Sequence, residues 1–380
     1  LKSKDYLTNK NFCPIPWTGL MYNFDGSIKN CIRSAGPIGN ICNNPIEDIV
    51  NDKPNITTKL NMISNRPGER CSPCYDLEKG KNSFDIISDR VYYLKELKKI
   101  SLDTYNNETN FNLQVVDIRW SNLCNFACVY CGPDFSSRWE QERSLSITTP
   151  NQKQQIEFTN YVMSKASNLK HVYLAGGEPL LMKQNLDLLD KLSSDVNLRI
   201  NTNLSKTNTQ IFDKICTFKN VHWIVSVESI EEEYEYIRYG GSWKEFLENL
   251  NIIKNLGHKI SFNMLHFSLN YLSIFRCVDF FVNMGFHYNS FIIGPLLNPM
   301  SLNIRHLPQD MLHLTQLELQ RRISSKPGFL YENGLQNILD YLKTPFDKDL
   351  TQVFDYLQVL DQRRNLDSTK IFKELYNYGN

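Results

Sequence analysis

From Val115 onward the chain alternates short apolar runs with amphipathic stretches. The runs Val115–Trp120, His171–Ala175, Leu198–Thr202, Val221–Val227, Ile260–Leu265 and Phe291–Ile293 have the length and composition of buried strands. Between them, apolar residues recur at helical spacing in Leu186/Leu189/Leu192, Ile211/Phe212/Ile215, Phe246/Leu250/Ile253 and Ile274/Val278/Phe281. Gly257 and Gly285 stand where the last two helices would stop. Strands alternating with helices predict a parallel sheet with helices packed outside it. Six such units are too few for the closed eight-stranded barrel. The expected fold class is therefore α/β, a partial (β/α)6 barrel over residues 113–298.

The flanking regions read differently. Residues 1–112 show weak periodicity and many turn signals, among them Pro14, Pro16, Pro37, Pro54 and Pro67-Gly68. A hairpin is expected there, Leu20–Asn23 joined to Ser27–Ile32 through Asp25-Gly26. So loop-rich a piece would have little core of its own, and bound metal would supply the missing stability. Residues 299–380 return to helical periodicity through Met311–Leu319, Leu335–Leu342 and Leu350–Leu360, with Pro308 at a first helical position. The run Glu231-Glu232-Glu233 is expected to open a helix, where carboxylates favour the positive end of the dipole.

Composition narrows the class. The 380 residues are 41% hydrophobic and 22% charged, which argues against a mainly disordered chain. With 42 basic against 41 acidic residues the net charge is +1, so no overall field favours a nucleic-acid polymer, and none is expected as a partner. No run approaches the roughly 18 apolar residues of a membrane helix. A cytoplasmic protein without a membrane partner is the expectation.

The ten cysteines change the picture most. Cys124, Cys128 and Cys131 form C-x3-C-x2-C in the loop after the first barrel strand, and Cys13, Cys31, Cys71 and Cys74 form a second set ending in C-x2-C. Clustered thiols in such a chain favour soft-metal sites over disulfides. Three thiolates leave one position of a four-cysteine iron–sulfur cluster unclaimed, which marks a working site. Cys42 stands close enough in sequence to replace one member of the quartet. Cys216 and Cys277 sit in apolar helical stretches and read as core residues.

The triplet, with Tyr130 before its last cysteine, resembles the signature of the radical S-adenosylmethionine (radical SAM) superfamily. Gly176-Gly177-Glu178-Pro179, directly after the second barrel strand, resembles that family's GGEP motif. Asn201-Thr202-Asn203, Ser226-Val227-Glu228 and Arg238 follow in the family's order, with Glu228 standing where Asp is usual. The quartet is similar to the SPASM or twitch auxiliary-cluster modules of such enzymes, here ahead of the barrel.

The resemblance implies a [4Fe–4S] cluster on Cys124, Cys128 and Cys131, with SAM chelated at the free iron. Gly176, Gly177 and Glu178 would receive its amino group, and Ser226 and Arg238 would face its carboxylate. Tyr130 would pack beside adenine, and Asn203 and Glu228 would reach the ribose. It implies an auxiliary iron–sulfur cluster, [4Fe–4S] in type, on Cys13, Cys31, Cys71 and Cys74. The implied reaction is reductive cleavage of SAM to a 5′-deoxyadenosyl radical that abstracts hydrogen from a peptide, a protein or a small metabolite. A nucleotide or sugar is the alternative substrate. An electron donor such as flavodoxin or ferredoxin is implied, and the second cluster would assist electron transfer. A zinc-stabilised, non-enzymatic binding protein is the competing reading, since four thiolates also suit zinc. Asn263 and His266 lie within reach of a barrel pocket but read better as structural residues.

Overall fold

A computed structural model of the protein describes residues 11–79, 88–97, 105, 107–147, 149–325 and 327–377. Two compact units emerge: Leu1–Leu123 with Ser146–Ile200 and Asn208–Val221, and Cys124–Leu145 with Asn201–Thr207 and His222–Asn380.

In the first unit, β1 (Gly19–Tyr22) and β2 (Ser27–Lys29) make the expected hairpin, and β3 (Gly39–Asn40) pairs antiparallel with β2. The Asp25 carboxylate fixes the turn, accepting from the Ser27 amide at 2.9 Å and its hydroxyl at 2.6 Å. β1 also pairs in parallel with β4 (Val115–Ile118), which continues through β5 (His171–Leu174) to β6 (Asn197–Thr202). The amino-terminal hairpin thus extends the parallel sheet. Val116, Ile118, Val172, Leu174, Leu198 and Ile200 supply its aliphatic face, all buried. The helices Lys183–Leu189 and Gln210–Cys216 stand near their expected positions. Helix Gln152–Ser164, started by a capping box of Asn151 and Gln154, lies in the interval the sequence left without an element.

The amino-terminal stretch also has more core than its pattern suggests. Helices Lys53–Ile63, Ser72–Glu78 and Asp89–Glu96 lie there, and the rings of Phe12, Trp17 and Tyr105 meet at 5.2 to 5.7 Å. Periodicity missed the longest helix because it buries polar residues. Asn55 bridges the Val50 carbonyl and Asn30, and the ammonium of Lys59 donates to the Asn110 carbonyl at 2.9 Å. Satisfied hydrogen bonds make such burial tolerable. The segment Gly80–Ser83 that completes the second cysteine motif lies outside the described residues.

In the second unit, β7 (Asn220–Ser226), β8 (Lys259–His266) and β9 (Phe291–Pro295) run parallel. Helix Trp243–Asn255 starts at a Ser242 cap and buries Phe246, Leu250 and Ile253; helix Ser273–Asn283 buries Ile274, Cys277, Val278 and Phe281. The acidic run opens helix Glu231–Ile237. The carboxyl-terminal helices are Gln309–Ser324, Phe329–Leu342 and Thr351–Arg364. Pro308 sits one residue outside the first of these, with an extended ψ of 156°, so it caps the helix and does not begin it. The fold is mixed α/β with parallel strands, consistent with a partial barrel. Among the described residues no helix is long and apolar enough to cross a membrane.

Candidate active site

The cysteine loop belongs to the second unit. No disulfide joins Cys124, Cys128 or Cys131, and backbone bonds shape the segment between them. The Ala127 and Val129 amides donate to the carbonyls of Tyr239 and Ile237, both at 2.8 Å, and the Cys131 amide turns back to the Cys128 carbonyl at 2.9 Å. Helix Ser137–Glu142 anchors it further: the Trp139 indole donates to the Cys128 carbonyl at 2.8 Å, and the Ser137 hydroxyl accepts from the Cys124 amide at 3.2 Å. Burial pushes the Cys128 and Cys131 thiols up, Cys131 to about 12 with the charge of Cys128 adding to the effect. Thiols crowded in this way are poor acids alone and good ligands for a cation, which removes the penalty on their ionised form.

Three of the expected cofactor residues are joined to one another. Arg238 donates from Nε and Nη2 to the two oxygens of Glu228 at 2.7 and 2.9 Å, and from Nη2 to the Tyr130 hydroxyl at 2.7 Å. The Tyr130 hydroxyl in turn donates to Glu228 at 3.0 Å. Although burial opposes its charge, Glu228 and Tyr130 hold the guanidinium well above its usual range. Its Nη1 faces the Cys128 sulfur at 3.9 Å. Tyr130, Glu228 and Arg238 therefore form one buried network beside Cys128. No spacing marks it, since an ion pair across 10 positions and a hydrogen bond across 108 leave no local pattern.

Ser226 ends β7, half-buried and in register with Asn263 of β8. The Asn203 amide donates to Asn125 at 3.1 Å and faces the Cys124 sulfur at 3.8 Å. Asn125, unremarked in the sequence, thus shares the neighbourhood of the first cysteine. His266 is structural, its Nε2 donating to the Tyr271 carbonyl at 3.0 Å.

The glycine motif lies in the first unit, directly after β5. A Cβ on Gly177 would sit 2.2 Å from the Leu123 carbonyl oxygen, so only glycine permits this approach to the residue preceding Cys124. The Glu178 amide donates to the same carbonyl at 2.7 Å. Gly176, at φ 112°, packs against Arg119 and Ser121. The fully buried Glu178 carboxylate accepts from the Leu180 amide at 3.1 Å.

The second thiol set is also within the first unit. Burial raises all four thiols; the charges of Cys71 and Cys31 add to the rise at Cys13, and Cys74 adds to that at Cys71, which reaches about 11. Cys13, Cys31 and Cys71 share one apolar cluster. Cys42 lies elsewhere, at the hairpin turn, where a Cβ on Gly26 would meet its sulfur at 2.9 Å. Arg90, on helix Asp89–Glu96, grips Glu78 and donates to the Phe12 carbonyl at 3.0 Å, tying down the residue before Cys13. Among the described residues no three His, Cys, Asp or Glu side chains are gathered around a single metal position.

Comparison with known proteins agrees with this chemistry. Residues 118–274 match the family model of the radical SAM superfamily. Over 269 residues the chain is 28% identical to the radical SAM cyclopropyl synthase TigE of Paramaledivibacter caminithermalis, covering 67% of this chain and 53% of that protein. A shorter stretch of 98 residues is 34% identical to 7-carboxy-7-deazaguanine synthase of Clostridium acetobutylicum, covering 26% of this chain and 39% of the relative. The chain therefore spans about half, or less, of the length of these relatives. A solved structure of native anSMEcpe with bound AdoMet aligns over 56% of this chain and 61% of that one, with 14% identity and a TM-score of 0.43. The zinc-stabilised, non-enzymatic alternative finds no support in these matches. Cysteine loop, glycine approach and family match coincide along the chain: residues 118–274, which match the radical SAM superfamily, carry both motifs.

Proposed function

We propose that this chain is a radical SAM enzyme that abstracts hydrogen from a peptide, a protein or a small metabolite. A domain of this family implies a [4Fe–4S] cluster and SAM, and the donor set fits them. Three unbridged thiols, two of them made weakly acidic by burial, stand in one short loop with no fourth cysteine in it. Cys124, Cys128 and Cys131 would hold the cluster. When bound, cluster and SAM supply reductive cleavage of the sulfonium and the 5′-deoxyadenosyl radical that follows.

This chain's own side chains have supporting tasks. Gly176 and Gly177, with Glu178 beside them, are the candidates to receive the amino group of SAM. Ser226 is the candidate for its carboxylate and Asn203 for its ribose. Arg238, held by Glu228 and Tyr130, places a fixed positive charge beside the Cys128 sulfur, where it favours the thiolate. Cys13, Cys31, Cys71 and Cys74 are the ligands proposed for an auxiliary cluster that assists electron transfer. A flavodoxin or ferredoxin in the cytoplasm would be the electron source.

The single observation that carries this reading is the C-x3-C-x2-C loop inside the matched segment. Anaerobic incubation with SAM and dithionite should release 5′-deoxyadenosine, and Cys128→Ala should abolish its formation. Undiminished release by that variant would remove the assignment. Iron and sulfide should each approach about eight per chain, falling to about four when Cys13 and Cys74 are both replaced by Ala.

A further inference from the structure

A row of polar side chains crosses the parallel sheet of the first unit on the face opposite its aliphatic one. Asp117, Tyr173 and Arg199 are in register on β4, β5 and β6, and strand periodicity puts them on a common face. Arg119 follows Asp117 by two positions and grips its carboxylate at 3.2 and 3.3 Å. That pair neutralises itself.

Arg199 is different. Its guanidinium lies 5.2 Å from the ring centre of Tyr173 and 5.2 Å from that of Tyr92 on helix Asp89–Glu96. Among the described residues it has no ion-pair partner. Asp89, the carboxylate whose charge reaches it, is already paired with Arg33 at 2.8 Å. The Arg199 Nε is buried without a hydrogen-bond partner, although the Tyr92 hydroxyl engages the side chain. The Tyr92 hydroxyl takes part of the guanidinium's edge and the bare Nε leaves the rest, and that edge is the part that matches a planar carboxylate. A buried donor left bare is costly, and a carboxylate brought to it would supply the missing acceptor.

We propose that Arg199, stacked between Tyr92 and Tyr173, binds a carboxylate of the substrate. The inference deepens the radical SAM reading and rests on it. One cation without an ion-pair partner among the described residues suits a monoanion better than a phosphate dianion. The row also adjoins the glycine motif: a Cβ on Gly176 would lie 3.4 Å from the Cα and Cβ of Arg119. A substrate acid anchored at Arg199 would thus be held on the sheet face that borders the proposed site for the SAM amino group.

The test is binding of phenylacetate to the anaerobically purified full chain, read by saturation-transfer NMR without turnover. Phenylacetate should bind in a roughly millimolar range, as its size allows, and phenylacetamide should bind at least about tenfold more weakly. Inorganic phosphate should not displace the acid. Arg199→Gln should weaken phenylacetate by about tenfold or more, and Arg199→Lys, which keeps the charge and the fold, should weaken it by several-fold through loss of the fork. Equal binding of acid and amide, displacement by phosphate at lower concentration, or undiminished binding by the folded Lys variant would each overturn the proposal. Because 5′-deoxyadenosine release is measured separately, failure here is distinguishable from failure of the enzyme assignment.

Discussion

His266 is a residue whose protonation the fold opposes. Its Nε2 must carry a hydrogen, because the Tyr271 carbonyl 3.0 Å away can only accept. A second proton would go to Nδ1, which is buried with no partner. Burial accordingly lowers its pKa to about 4, against an ordinary value of 6.5. Below 6.5 the unfolded chain takes up a proton that the folded chain refuses, so stability falls as pH drops from 6.5 toward 4 and then levels. Between pH 7 and 5 this one group should cost about 2 kcal/mol. His266→Gln keeps an amide donor without the titration, and denaturant unfolding should show a correspondingly shallower loss across that interval. Parallel pH profiles for the two proteins would contradict this account. At this scale the sequence was read well where a residue's role depends on its neighbours in the chain. The cysteine loop stood out by spacing, and Gly177 by resemblance to a motif that follows a strand. Arg238 and Glu228 were singled out through a family resemblance, but their attachment to each other was not visible, because it depends on a contact that spacing does not encode.

The elements most legible in advance were those whose burial follows a single period. Strands β4 to β9 each lie within a few residues of an apolar run, because one or both faces are covered by aliphatic side chains. Helix Thr351–Arg364 was also expected, yet its purpose was not visible. It buries Val353, Leu357 and Leu360 in the same cluster as Ala127 and Val129 of the cysteine loop. Its Tyr356 hydroxyl donates to the Val129 carbonyl at 2.7 Å, and its Arg364 guanidinium lies 4.7 Å from the Trp139 ring and 4.5 Å from that of Tyr239. The helix therefore braces the loop from behind. Tyr356→Phe should leave a buried carbonyl bare, at a cost of about 1–3 kcal/mol. If the brace acts on the loop, iron loss to a chelator should quicken by a factor of about five or more in that variant. A variant with lower thermal stability and an unchanged rate of iron loss would show that the helix serves the core alone.

For the molecule as a whole, the ten thiols offer a test of the ligand assignment that needs no substrate. Seven are assigned to clusters, which leaves Cys42, Cys216 and Cys277. Cys42 is exposed at the hairpin turn, Cys216 is half-buried with its thiol raised by burial to about 11, and Cys277 is fully buried. Thiolate fraction and access together set the rate of alkylation. Iodoacetamide at neutral pH should therefore modify Cys42 first in the loaded protein, Cys216 slowly, and Cys277 only on unfolding. The seven ligands should resist until iron is stripped under reducing conditions, when half-buried Cys31, Cys71, Cys124 and Cys131 should become open to labelling, Cys31, Cys71 and Cys131 no faster than Cys216 because burial raises their thiols as well. Mass spectrometry of peptides reads each position. Protection of Cys42 together with early labelling of Cys31 would move the fourth auxiliary ligand to the hairpin turn. Identical patterns before and after stripping would mean that neither thiol set holds iron, since burial alone is the same in both states.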